Sequence, residues 1–132
     1  MDHQKIVQYR LDAANLDWPA VNHLLEKRDY VHALFFAHLA LEKTLKAAAA
    51  LRIKNHPPYT HNLILLAEQA ELKLSDETTK FLVNITRFNI ESRYPDEKFT
   101  IHRALSAKEA RKMVKQAKEI TTWIKKQMKS WD

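Results

Sequence analysis

The stretch AHLALEKTLKAAAA at residues 37–50 decides the fold, because it is apolar around most of a helical turn. Leu41 and Leu45 lie four residues apart, and the alanines at 47–50 leave room for other helices to approach closely. A helix that is apolar on most sides is buried. Asp29 is a suitable N-cap, and Pro57 ends the helix. The pattern predicts a central helix over 29–54.

Four further helices are predicted around this one, from apolar residues that recur at three- and four-residue steps. Their ranges are 4–27, 61–70, 76–92 and 107–129. The chain is therefore predicted to be all-α, an up-down helical bundle of four long helices and one short helix, 61–70.

Four local signals refine the boundaries of these helices. Ser106 with Glu109 forms a capping box, and Thr60 and Ser75 are the expected N-caps of the third and fourth helices. Pro19 is expected to kink the first helix or to begin a new segment. Residues 94–105 are expected to form an irregular loop.

Composition limits the class of protein. The 132 residues suit one domain spanning 1–132. Glycine and cysteine are absent, which excludes Gly-rich phosphate loops, disulfides and thiolate zinc sites. The polar start and the lack of a long apolar run predict no leader peptide and no membrane contact. We therefore expect a cytoplasmic protein.

Positive charge is concentrated near the C-terminal end of the sequence. Residues 98–129 contain ten Lys/Arg and two acids, which gives +8 against a net charge of +6, so the rest of the chain carries −2. Such a face suits a polyanion or an acidic protein partner. The simpler interpretation is a solvated helix face rich in helix formers.

Polar residues on the central helix and elsewhere are candidates for chemistry. Glu42 and Lys46 are spaced i,i+4 in the favourable order; spacing alone favours a surface pair, and the alternative is a polar patch in a groove. Seven histidines lack metal-site spacing, so no metal and no cofactor are expected. His61 is expected at a helix start, as a neutral imidazole or a cap contact.

A second set of candidates lies at the end of the fourth helix, in RFNIESRYP at residues 87–95. Guanidinium groups such as those of Arg87 and Arg93 suit phosphate, and Tyr94 can stack on a base. The alternative is structural: Arg93 and Asp96 cap the helix end, and Tyr94 fills the core.

Four stretches together resemble the HEPN family, the higher eukaryote and prokaryote nucleotide-binding domains. They are LL at 24–25 with DYVHA at 29–33, HLALEKTLKA at 38–47, THNLILL at 60–66 and SRYPD at 92–96. They occur in order and span nearly the whole chain. The second is similar to the family signature Ala-x-Glu-Lys-x-Leu-Lys-Ala, and the last to its Arg-Tyr-Pro-Asp.

The resemblance implies an up-down bundle, similar to the nucleotidyltransferase substrate-binding domain, that usually dimerises. It implies a role connected with RNA or nucleotides. Many family members are ribonucleases with an Arg, four to six residues, His motif. Others are prokaryotic and paired with a small nucleotidyltransferase in toxin–antitoxin systems, where the motif often reads Arg-Asn-x-x-x-His-x-Tyr.

This chain departs from that motif at one position. Arg87 and Tyr94 match, but Ser92 stands where the family histidine belongs, and Phe88 replaces a residue that is usually polar. Metal-independent RNA cleavage needs a general base and a general acid, and histidine suits both roles near neutral pH. The serine hydroxyl does not, so no catalytic residue is expected in the motif, with His61 as a weak substitute.

The resulting hypothesis is a homodimeric, non-catalytic module that binds a nucleotide, RNA or a small nucleotidyltransferase. Arg87, Arg93, Tyr94, Glu42 and Lys46 are its expected ligand-binding residues. The alternative is a metal-independent endoribonuclease, an RNA-cleaving toxin that combines Arg87 with a histidine outside the motif.

The dimer also has a physical argument. Five aromatic residues exceed what one small core is expected to cover, and an exposed apolar patch marks an interface. They are Phe35, Phe36, Phe88, Phe99 and Trp123.

Overall fold

The computed structural model describes residues 2–95 and 99–131, except the side chain at 91. Within that part every regular element is a helix, which confirms the all-α prediction. The helices are α1 (His3–Glu26), α2 (Tyr30–Ile53), α3 (Leu63–Gln69), α4 (Asp76–Arg93), α5 (Thr100–Ala104) and α6 (Ala107–Lys129).

The second short helix, α5, corrects the expectation of an irregular loop at 94–105. Ile101 and Leu105, four residues apart, are half-buried against the core, and the Leu105 N–H donates to the Ile101 carbonyl. Apolar residues at this spacing share one helix face. Burying that face favours a helical turn over an extended loop.

α2 is the centre of the bundle, as the alanine-rich stretch predicted. α1, α3, α4 and α6 all pack against it, and Leu34, Leu41 and Leu45 are fully buried. The alanines at 47–50 are fully buried as well, so they admit neighbouring helices at close range. Apolar as α2 is, the described residues contain no helix with both the length and the hydropathy to cross a membrane.

α1 runs through Pro19 as one helix, so of the two expected effects of this proline the start of a new segment does not occur. Proline removes one backbone hydrogen bond of the helix. Pro19 is solvent-exposed, so water can satisfy the carbonyl that is left unpaired. The packing of α1 on α2 then outweighs the lost hydrogen bond.

Three of the four predicted N-caps are correct, namely Asp29, Ser75 and Ser106, and the prediction of Thr60 is wrong. The Ser75 and Ser106 hydroxyls accept the N–H groups of Thr78 and Glu109. α3, by contrast, begins two residues later than expected, because the Asn62 side chain accepts from the N–H groups of its first turn. Thr60 instead accepts from the Asn62 N–H.

The absence of glycine has a visible effect at the helix ends. Among the described residues, four take positive φ: Arg28 at 62°, Lys54 at 56°, Glu71 at 56° and Phe99 at 52°. Lys54 is the left-handed C-cap of α2. A non-glycine residue is strained in this region by about 1–2 kcal/mol, so the bundle tolerates strain at several of its turns.

Candidate functional site

A polar cluster lies where α2 meets α3 and α4. His38, Glu42 and Lys46 follow one another at four-residue steps on α2, so their side chains share one face. His61, from the segment before α3, contacts Glu42. Arg93, in the last turn of α4, is near enough to influence the charge of His38. These five residues are called the polar cluster below.

Glu42 organises the cluster with both carboxylate oxygens. Oε1 accepts a hydrogen bond from His61 Nδ1 at 3.0 Å, and Oε2 lies 3.3 Å from Lys46 Nζ. The surface pair favoured by spacing is therefore wrong, because Glu42 and Lys46 are 5% and 8% exposed. Spacing predicts which side chains meet but not whether the rest of the fold buries them.

His61 is held by this bond in a fixed orientation. Its ring precedes α3 rather than starting it, and it makes no cap contact among the described residues. When Nδ1–H donates to the carboxylate, a neutral imidazole keeps Nε2 as its proton acceptor. The side chain is 55% exposed, so a carboxylate-oriented base is open to solvent and to ligands.

His38 is the residue that the sequence interpretation missed. It is fully buried, and neither ring nitrogen has a hydrogen-bond partner among the described residues. Burial lowers the pKa of His38 to about 4; Glu42 opposes this shift, and His61 and Arg93 add to it. His38 is therefore neutral at pH 7. Its position four residues before Glu42 was the available signal.

A depression of about 420 Å³ opens beside His61, between α3 and α4. Its polar lining is His61, Asn62, Thr86 and Asn89, and its apolar lining is Leu63, Ile64, Val83 and Ile90. Asn89 Oδ1 is buried without a hydrogen-bond partner in the described part of the chain. Within that part, no three His, Asp or Glu side chains are placed to share a metal ion.

The candidates at the end of α4 do not form one set. The Arg93 guanidinium lies 5.8 Å from the Phe35 ring centroid, on the α2 side. Arg87 lines a separate depression of about 270 Å³ with Ile101 and Leu105. Six helical steps rotate one arginine about 240° from the other. The structure therefore groups Arg93, but not Arg87, with Glu42 and Lys46.

Tyr94 and Ser92 also lie at the C-terminal end of α4. Tyr94 is the C-cap of α4, where its N–H donates to the Ile90 carbonyl. The residue is 75% exposed, so it does not fill the core as expected. Ser92 is half-buried in the last turn. Asp96, the expected capping partner of Arg93, lies outside the described residues.

An exposed apolar face runs along α4 next to the polar cluster. Val83, Ile90 and Tyr94 are each more than half exposed and recur at seven- and four-residue steps. Of the five aromatics that suggested such a face, Phe88 is buried and Phe99 is 46% exposed; the others are half-buried. The exposed face is thus largely aliphatic.

Comparison with protein families identifies the chain. A HEPN domain model matches residues 7–127, which include the polar cluster, the whole of α2 to α5 and most of α1 and α6. Comparison with curated proteins and with solved structures gave no match. The match covers most of the chain, and the helical bundle agrees with it. The chain therefore belongs to the HEPN domain family.

Proposed function

We propose that this HEPN protein is a non-catalytic module that binds a nucleotide or an RNA phosphate at the polar cluster. The observation that carries the proposal is the Glu42–His61 hydrogen bond of 3.0 Å. It holds a half-exposed imidazole at the rim of the apolar depression, on the side of α2 that Arg93 also approaches. A base or ribose fits the part of the lining that Leu63 and Ile64 contribute, and the phosphate meets the cations.

The residues of the cluster divide this task. Arg93 offers a planar set of donors that suits phosphate oxygens. His61 adds a donor or acceptor at Nε2 according to its protonation state. Glu42 and Lys46 form an ion pair at 3.3 Å, so we assign them the role of positioning His61. Tyr94, being exposed, offers a stacking face.

Ser92 is the reason to propose binding without catalysis. The family's ribonuclease motif needs a histidine at that position, and the serine hydroxyl does not exchange protons near neutral pH. His38 does not replace it, because its ring is fully buried. Among the accessible groups of the cluster, Arg93 holds an anion without exchanging a proton, and His61 is an imidazole outside the family motif.

Titration with labelled ATP, GTP and short RNAs tests the binding proposal. Arg93→Ala is expected to raise Kd by about 10- to 100-fold, since a hydrogen bond to a charged group contributes about 1.5–3 kcal/mol. Arg87→Ala is the matched control, with the same charge change on the other side of α4. No binding at low salt, or equal losses in both variants, would contradict the proposal.

An endoribonuclease is the second candidate, favoured by the Glu42–His61 pair itself. A carboxylate-oriented imidazole can accept the ribose 2′-OH proton, so that the 2′-oxygen attacks the adjacent phosphorus, while a cation stabilises the developing charge. The 5′-oxygen would leave with a proton from solvent. Incubation of RNA with the wild type, His61→Ala and Arg87→Ala separates the candidates: cleavage lost in either variant replaces the binding proposal.

We also propose that the chain forms a homodimer through the exposed apolar face of α4, with a small nucleotidyltransferase as a further partner. Val83→Lys with Ile90→Lys should dissociate the dimer in light scattering at micromolar concentration. Leu16→Lys, at a leucine of α1 that is more exposed than either residue, is the control. A monomeric wild type would refute the dimer, and failure to co-purify with a nucleotidyltransferase would refute that partner.

A further inference from the structure

α6 carries a stripe of cations that the polar cluster does not use. Arg111, Lys115, Lys118, Lys125 and Lys129 recur at three-, four- and seven-residue steps and therefore share one helix face. Thr122 occupies the remaining turn, and no acid interrupts the series. The series extends over about 27 Å at 1.5 Å per residue. These five residues are called the basic stripe.

The two acids of α6 do not neutralise the stripe. The Glu109 carboxylate accepts from the Ser106 hydroxyl at 3.1 Å, within the N-terminal capping box. Glu119 lines a depression with Glu77, Lys112 and Lys115, so of the five residues of the stripe it lies beside Lys115. The positive charge of the other four residues is left to solvent.

Two lysines of the stripe are fixed in place by α1. Lys118 Nζ donates to Asn22 Oδ1 at 3.1 Å, and Lys125 Nζ donates to Asn15 Oδ1 at 3.0 Å. Lys118 also lies 5.5 Å from the Trp18 ring centroid. The asparagines are seven residues apart, like the lysines, so α1 and α6 run antiparallel with two matched contacts.

Asparagine is an informative partner for these lysines. Its amide oxygen orients an ammonium group without cancelling the charge, as a carboxylate would. An ammonium has three N–H donors, and each asparagine contact uses one. Lys118 and Lys125 are thus held in position with charge and donors still available, about 10 Å apart along the helix.

The composition of the α6 surface indicates the class of partner that the stripe binds. Among the described residues, no exposed large apolar side chain belongs to α6. Protein interfaces have an apolar or aromatic centre, and helices that bind membranes insert apolar side chains. A uniformly charged polyanion needs neither. We propose that the basic stripe binds the phosphodiester backbone of a nucleic acid strand without regard to base sequence.

Fluorescence anisotropy with labelled 12-nucleotide oligo-U and oligo-dT tests this at 50–500 mM salt. Five phosphate contacts predict a slope of log K against log[salt] of about −3.5 for a single strand. Lys115→Gln with Lys129→Gln should make the slope about 1.4 less steep and weaken binding about 20-fold at 0.1 M salt. Both lysines are exposed, and circular dichroism checks that the fold persists.

Lys73→Gln with Lys112→Gln is the matched control, with the same loss of charge beside Glu77 and Glu119, and it should leave the slope unchanged. RNA and DNA are expected to bind alike, since the phosphodiester is the shared feature. Equal losses in both pairs, or no binding to either oligonucleotide at 50 mM salt, would overturn the proposal.

Two further measurements separate this surface from other partners. Polyglutamate and phosphatidylserine vesicles should not compete for the stripe; a stronger response to either than to the oligonucleotides overturns the proposal. The stripe variant should weaken oligonucleotide binding by the same factor in the wild type and in Arg93→Ala, because the stripe and the polar cluster are separate sites. If Arg93→Ala abolishes that binding while the stripe variant preserves it, the nucleic acid belongs to the polar cluster alone.

Discussion

α2 and α6 have 24 and 23 residues and both carry lysines, yet they use charge in opposite ways. Lys46 of α2 is buried beside Glu42, whereas Lys115 and Lys129 of α6 face solvent. Buried charges must be paired because desolvation is costly. Exposed charges act independently and are screened by salt. The first arrangement suits one ligand in one geometry, and the second suits a polyanion in many registers.

The largest expected effect of the difference between buried and exposed charge is on the free energy of unfolding when a glutamate of each helix is replaced. Glu42→Gln leaves Lys46 buried without its counter-ion, which should lower the free energy of unfolding by about 3–5 kcal/mol. Glu119→Gln on α6 should change it by less than about 0.5 kcal/mol, as for most surface substitutions. Urea denaturation measures both, and equal effects would mean that Lys46 is solvated.

The pH dependence of stability is the next largest effect. The pKa of His38 is about 4 in the folded chain against 6.5 for the free side chain, so between these values the unfolded state binds the proton and the folded state does not. Stability attributable to His38 therefore falls as pH drops from 6.5 to 4, by about 3 kcal/mol in total.

His38→Gln isolates this contribution from those of other titrating groups. The variant keeps a polar side chain without the imidazole, so the difference between the two stability curves should shrink toward low pH. Glu42, His61 and Arg93 remain in both proteins. Parallel curves from pH 7 to pH 4 would show that the His38 ring is reached by water.

The helix starts give a smaller contrast. Ser106 accepts from the Glu109 N–H at 3.1 Å, so Ser106→Ala should destabilise α6 by about 1 kcal/mol. Asp29 is the N-cap of α2 but makes no side-chain cap bond, because its carboxylate accepts from His32 Nδ1 at 2.7 Å. Asp29→Ala should therefore have the smaller effect in thermal denaturation.

The helix ends give the smallest contrast: glycine should stabilise the chain at the end of α2 and destabilise it at the end of α6. Lys54 ends α2 with φ of 56°, so Lys54→Gly should stabilise the chain by about 0.5 kcal/mol, the relieved strain less the added entropy of the unfolded state. Ser130 ends α6 at φ of −88°, which is not strained for a residue with a side chain. Glycine there would only add conformational entropy to the unfolded state. Ser130→Gly should lower the melting temperature slightly; a rise would contradict the strain argument.

The sequence predicted the helices well because their signals are local. Periodic apolar residues located five of them, and Ser75 and Ser106 marked two starts. α5 was missed, although Ile101 and Leu105 have helical spacing, since five residues give little periodicity. The HEPN resemblance rested on motifs in order along the chain, and the family match confirms it.

The site was harder to predict because burial is not a local property. Spacing placed Glu42 and Lys46 together but did not indicate that both side chains would be buried. Arg87 and Arg93 were grouped by proximity in sequence, although helical rotation separates them. His38 was judged by metal-site spacing, whereas its significance comes from lying one turn before a buried carboxylate.

Trp18 gives the α1/α6 groove an optical property. Its indole is half-buried, with the Lys118 ammonium 5.5 Å from the ring. A nearby positive charge shifts the emission of an indole, so a change in that charge changes the spectrum. An anion that moves Lys118 away from Asn22 would thus change the intrinsic fluorescence of the unlabelled protein. Trp18→Phe would remove this change.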